Sequence, residues 1–328
     1  MLRFLLLFFV SVVGVYAVDA ESSKKTKDSS LEKVLPTSGL VQSIAFNQNK
    51  GLLYVANDNG IVDIISFAKQ QPIRQITLEK ITNFMGELLA PKIFEIDAFN
   101  DTVLMVVEGD NGGRNIWLFQ NNTLSKLAIK GDLAIKKARF INSDLILIAT
   151  LGNEIGLYHL PQNHFLYKFH LSSSRFSDFS LNEDRTQAAL SDESGVVQIL
   201  DVKHASIKHQ FEEVHKDNIY QIQFAGDKVI TAGQDRKVGV IDIKTLQVKT
   251  MEQNFLVYAV GLNQKMGAYM ADEENTITLF NPNDLSILTT LEGGETVPNT
   301  LLFINKNYLL SAGDEMGVYV WNLKGVKQ

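Results

Sequence analysis

The chain has no cysteine among its 328 residues. That excludes a disulfide framework, a thiolate metal site, a thiol nucleophile and lipid attachment through an N-terminal cysteine, so the core alone must hold the fold together. Nor is there an excess of base, since 31 Lys and Arg stand against 37 Asp and Glu, a net charge of −6. A sequence-independent grip on nucleic acid needs dense cations to neutralise phosphates, and no nucleic-acid partner is expected. No GxSxG elbow, HExxH pair or GxxxxGK[ST] loop occurs, which removes the commonest nucleophile, zinc and phosphate-cradle signatures. The glycine-rich GDNGGR at 109–114 lacks the order and the following helix of a phosphate cradle and reads as a hairpin turn. Six histidines fall between His159 and His215 without a repeating ligand geometry. Neither a metal nor a cofactor is expected.

Long apolar runs are missing everywhere except the first twenty residues, MLRFLLLFFVSVVGVYAVDA. Arg3, the apolar stretch from Phe4 to Val15 and the small residues Ala17 and Ala20 have the build of a secretory signal, with cleavage after either alanine. The run is short of the roughly 20 residues that span hydrocarbon, so export rather than stable membrane insertion is expected. Cleavage after Ala20 removes Arg3 and Asp19 and leaves the charge at −6. ESSKKTKDSS at 21–30 is too polar to offset the entropy of ordering and reads as a flexible lead-in.

What remains, 45% hydrophobic over the whole chain, carries a repeat. VITAGQDRKVGVID, from Val229 to Asp242, is two β-branched runs around a polar turn, a β-hairpin. Six further copies end at Ser66, Gln120, His159, Asp201, Asn281 and Asn322, so the seven closing positions are spaced by 54, 39, 42, 41, 39 and 41 residues. A period near 40 fits four short strands and their turns, one blade of a β-propeller. Inner strands such as VQSIAF (41–46), IFEIDAF (93–99), IYQIQF (219–224) and TLLFI (300–304) precede the hairpins, and outer strands such as PIRQITL (72–78) and ASIKHQF (205–211) follow. The spacing of 54 comes from an insertion at 79–91, EKITNFMGELLAP, which reads as partly helical.

The fold class predicted is all-β, a single seven-bladed propeller domain over 31–328. Only five residues follow Leu323, too few for an outer strand, so Leu31 to Leu35 are predicted to pair into the last blade and close the ring.

These repeats resemble the WD40 family. VHKDNIYQIQF (214–224) matches the region that opens with Gly-His, and TAGQDRKVGVID the segment that ends in Trp-Asp. The resemblance implies that His215, Thr231 and Asp235 belong to a buried hydrogen-bonded tetrad, with Ile241 where the tryptophan should stand. The seventh copy has the converse match, Ser311 and Trp321, with Glu315 near the aspartate position and no histidine upstream. Leader, length, lack of cysteine and degenerate sevenfold repeat are together similar to the NapL family, periplasmic propellers that accompany nitrate reductase in some Gram-negative bacteria.

In a ring of this kind the hairpin turns emerge on one face. Here they carry eleven acids: Asp58, Asp110, Glu154, Asp192, Glu193, Asp235, Asp272, Glu273, Glu274, Asp314 and Glu315, against the bases Arg114, Arg236 and Lys237. Such a rim speeds encounter with a basic partner, although Asp also favours tight turns for local reasons. Trp117 and Trp321, on third strands, read as packing between blades. The expected role is that of a monomeric, periplasmic, non-enzymatic protein-interaction scaffold, with a basic protein surface as its partner. Two alternatives stand beside it: a lactonase-like enzyme, if Glu95, Asp97, Arg139 and Asp178 on the inner strands converge on one funnel, and a small-ligand-binding propeller.

Overall fold

The structure, a computed structural model, describes residues 30–131, 133–294 and 297–327. The expected leader at 1–20 and the lead-in up to residue 29 lie outside the described residues.

Alternation explains why the hairpins read as unbroken apolar runs. In the strand Thr102–Glu108, Val103, Met105 and Val107 pack into a cluster with the preceding sheet, whereas Leu104 and Val106 pack into one with the following sheet. Successive side chains of a strand point to opposite faces, so a sheet clamped between two others must be apolar at every middle position. Peripheral strands lose this requirement, and His164–His170 alternates exposed with half-buried residues.

Seven antiparallel sheets of four strands result. Blade 1 comprises Val41–Asn47, Leu52–Asn57, Ile61–Ser66 and Gln71–Thr77, from the axis outward. Blades 2 to 7 begin with the inner strands Ile93–Phe99, Ile135–Phe140, Phe176–Leu181, Ile219–Ala225, Ala259–Leu262 and Pro298–Asn305. Each inner strand touches the next, and the last touches the first. Seven hydrophobic clusters, one per interface between consecutive blades, form the core. The fold is a seven-bladed, WD40-like β-propeller.

Ring closure follows the sequence reading. Leu31–Pro36 pairs antiparallel with Gly317–Asn322, placing Leu31 opposite Trp321 and Leu35 opposite Val318. Leu31 joins the cluster between blades 6 and 7, and the fully buried Leu35 the cluster between blades 7 and 1. The first and last described strands are thus fixed within one blade.

The insertion departs from its helical reading. Residues Ile81–Thr82 and Leu88–Leu89 form a small hairpin instead. Asn83 decides this: its Oδ1 accepts from the N–H groups of Met85 and Glu87 (both 2.9 Å), an Asx-type closure that competes with helix. Gly86, at φ +82°, takes the left-handed position that the turn requires.

Candidate functional site

Strand order fixes two faces. Inner strands start, and hairpin turns and blade-to-blade connections lie, on one face; the remaining turns lie on the other. Six of the seven inner strands carry the same register shift after their first residue, bulging at Gln42, Phe94, Lys136, Ser177, Tyr220 and Asn299. Bulges turn a side chain out of the ladder, and all of these residues except Phe94 line the axial channel, a cavity of about 470 Å³.

Below this ring, blades 2 to 4 present charge and blades 1, 5 and 7 present amides, hydroxyls and apolar groups. Glu95, Asp97, Arg139 and Asp178 do meet in this one channel. Arg139 Nη2 donates to Glu95 Oε2 (2.6 Å), Lys137 Nζ to Asp178 Oδ1 (2.6 Å) and Arg185 Nη1 to Asp97 Oδ2 (3.0 Å). Burial alone pushes the Glu95 carboxyl up, but Arg139 and then Lys137 overcome it and hold it below the usual carboxylate range. Burial likewise opposes the Arg139 charge, and Glu95 and Asp97 more than restore it.

The acids also serve the backbone. An inner strand is an edge, with N–H groups that nothing in its own sheet can accept. Phe140 N–H donates to Asp97 Oδ2 (2.8 Å), Ile222 N–H to Asp178 Oδ2 (3.1 Å) and Val260 N–H to Gln221 Oε1 (3.1 Å), each across to the neighbouring blade. Ala98 N–H fills Asp97 Oδ1 (2.9 Å), and Ser43 Oγ donates to Glu95 (3.3 Å). Asp97 and Asp178 are thus engaged at both carboxylate oxygens, and Glu95 accepts through Oε2. Lys136, at the channel mouth, is the base of this group with no hydrogen bond or ion pair among the described residues.

In blade 5 the tetrad-like residues are assembled. His215 Nδ1–H donates to Asp235 Oδ1 and Thr231 Oγ–H donates to His215 Nε2, both at 2.7 Å, while Lys216 N–H holds Asp235 Oδ2 (3.1 Å). One donor and one acceptor suit a neutral imidazole; burial lowers the His215 pKa by more than Asp235 raises it. Gly239 permits this packing, since a Cβ there would lie 2.3 Å from Thr231 Oγ1. Ile241, fully buried, fills the expected tryptophan position with hydrocarbon and no donor. In blade 7, Trp321 Nε1–H donates to Ser311 Oγ (2.8 Å) and Tyr319 Oη–H to Glu315 (3.0 Å). Trp117 is half-buried against the cluster of blades 1 and 2.

The hairpin-turn acids divide into two groups. Several turn inward: Asp192 is buried and accepts from Ser172 and Ser194, Asp272 Oδ1 accepts from the N–H groups of Glu274 and Thr276, and Asp58 Oδ1 accepts from Leu40 N–H (2.8 Å). Glu154 pairs with Lys168 (2.8 Å). Asp110, Glu193, Glu273, Glu274 and Asp314 are exposed. Asp110 also receives Thr82 N–H (3.1 Å), which ties the inserted hairpin to the blade 2 turn. His159 and His164 stack across neighbouring strands, with ring centroids 6.1 Å apart, but among the described residues no three His, Asp or Glu side chains are placed to share a metal ion.

Sequence reasoning missed the bulged ring and the paired wall. Partners there stand one blade period apart in sequence, or two for Asp97 and Arg185, and only the folded ring brings them together. No family model and no curated protein matches the chain. Solved structures do, 1828 chains in all, so the fold is too common to specify a role. Among them is a chain in the crystal structure of a mitotic checkpoint complex, 12% identical, superposing with a TM-score of 0.74 over 98% of each chain. At that identity the likeness is one of fold: a seven-bladed propeller.

Proposed function

We propose that the chain is a non-enzymatic interaction scaffold, exported to the periplasm as a monomer, that offers the hairpin-turn face of the propeller to a protein with a basic surface. The observation that carries this reading is the set of exposed acids Asp110, Glu193, Glu273, Glu274 and Asp314 in hairpin turns whose only bases are Arg114, Arg236 and Lys237, whereas the exposed acids of the opposite turns, such as Asp101, Asp144 and Asp227, are interspersed with the exposed Lys50, Lys69, Lys203, Lys244 and Lys265. Rigid sheets hold those loops in fixed positions, which lowers the ordering cost of binding. The fold is compatible with such a role; the checkpoint-complex chain is one protein of this fold found in an assembly. Export is supported by Arg3, the apolar stretch and the small residues at 17 and 20. Service to a periplasmic nitrate reductase is the narrower form of this reading, and it rests on overall build alone.

Capture from periplasm by the wild-type chain and by a chain with Asp272, Glu273 and Glu274 changed to Lys tests the reading. The partner should be retained by the first and lost by the second; equal recovery would discard the acidic face.

A second reading has one observation in its favour, the convergence of Glu95, Asp97, Arg139 and Asp178 in one channel. The ion pairs of all three carboxylates, and the backbone N–H groups on Asp97 and Asp178, weigh against acid–base chemistry there. Turnover of a lactone panel that disappears in Glu95→Gln would move the assignment to an enzyme; no turnover in either protein is expected.

A further inference from the structure

The four most exposed large apolar side chains among the described residues lie on one sector of the same face. Phe84, Met85 and Leu88, on the inserted hairpin, are 79%, 69% and 64% exposed; Met316, in the blade 7 turn, is 58% exposed, and Leu40 and Val297 are exposed beside it. Backbone contacts make the sector continuous. Thr37 N–H and Val41 N–H donate to the carbonyls of Met316 and Glu315, Leu40 N–H donates to Asp58, and Gly60 of that turn lies against Pro91 at the end of the insertion. On the other side, Asn299, two residues after Val297, donates to Asp314 (3.4 Å).

None of this is slack chain. Asn83 locks the hairpin tip through two backbone N–H groups and its own contact with Glu87 (3.0 Å), and Asp110 pins the base. A turn that rigid, with phenylalanine and methionine at its apex, keeps large apolar groups in water without any packing gain of its own, and exposed apolar clusters rimmed by polar residues mark binding sites. Acids border the sector at Asp58, Asp110, Asp314 and Glu315.

We infer that this arc across blades 7, 1 and 2 is the docking surface of the scaffold, and that its occupant is a partner-protein element presenting large apolar side chains flanked by Lys or Arg. The inference rests on the scaffold reading above and names the sector and the partner chemistry. An anionic membrane fits less well, because the bordering carboxylates would be driven against its surface charge; a second copy of the chain would bring like-charged borders together.

The test is site-specific photocross-linking in the periplasm, with p-benzoyl-phenylalanine replacing Phe84 in one chain, Met316 in a second, Glu193 and Glu273 in two more on the same face, and Ile73, on an outer strand, in a control. Positions 84 and 316 should label one and the same protein, on peptides with large apolar residues beside Lys or Arg, and position 73 should not. With that protein purified, Phe84→Ser combined with Met85→Ser should raise Kd at least tenfold with an unchanged melting temperature. If the double variant melts early, the cross-link map alone decides. Different proteins at 84 and 316, labelling only of the chain itself, or vesicles of phosphatidylglycerol that bind wild type and not the double variant would each overturn the arc. A partner cross-linked only from positions 193 and 273 would also overturn it while leaving the scaffold intact; no partner from any position on this face would remove both.

Discussion

At the residue scale, most buried polar groups are matched, with Asn57 Nδ2, Asn153 Oδ1 and Asn263 Nδ2 the buried atoms left without a partner among the described residues. His215 is the sharpest case: neutral when folded, it receives a proton more readily when the chain unfolds. Below about pH 6.5 the unfolded chain therefore binds more protons than the folded one, and stability falls as pH falls. Glu95 and Asp235, whose folded pKa values are lowered, add a second loss that begins only below about pH 4.5. Chemical denaturation across pH should show both limbs. His215→Leu should cost about 2–4 kcal/mol at pH 7 and flatten the upper limb, since Thr231 and Asp235 lose their buried partner. A second residue-scale expectation concerns the channel: Arg139→Met leaves Glu95 charged without its guanidinium partner, at a cost of about 3–5 kcal/mol at pH 7, and because burial then raises the Glu95 pKa, protonation relieves that cost and the share of the acid limb owed to Glu95 should flatten. Urea midpoints would read both. The tetrad was legible in the sequence because histidine, threonine and aspartate stand at motif spacing within one blade. The Glu95–Arg139 and Lys137–Asp178 pairs were not, because nothing in a linear pattern says which way a bulged inner strand aims its side chains.

At the scale of elements, the middle strands were the easiest to read, because burial on two sides leaves runs such as LILIAT at 145–150 without a polar interruption. The insertion at 79–91 was the hardest. Its methionine, glutamate and leucines favour helix, yet a single asparagine side chain closes the turn that makes it a hairpin. The closing strand Leu31–Pro36 could be inferred only by bookkeeping at the chain ends, and its weight in the fold is measurable. Leu35→Ala removes a fully buried side chain from the seam between blades 7 and 1 and should cost about 2–5 kcal/mol. Replacing the exposed Val34 in the same strand should cost little, and thermal melting of the two variants separates core packing from strand pairing.

For the whole molecule, a circle of seven similar sheets makes one rigid body from units too small to be stable singly. That body has two unlike ends, and the account assigns binding to one of them. The total of eleven turn acids overstates the field, since Asp58, Asp192, Asp235 and Asp272 spend their oxygens on turns and tetrad; the sequence shows the count but not the direction in which each carboxylate points. The exposed remainder should still act at long range. Association with a basic partner should slow as salt rises from 50 to 500 mM, and the triple lysine variant at 272–274 should remove most of that dependence.

Amide hydrogen exchange of the chain with and without its captured partner tests the central claim most directly. Protection should appear in the connections at 37–40, 81–91, 110–113 and 314–316 and leave the opposite turns at 47–51, 141–144, 182–186 and 263–266 unchanged. Protection confined to those opposite turns would contradict the account.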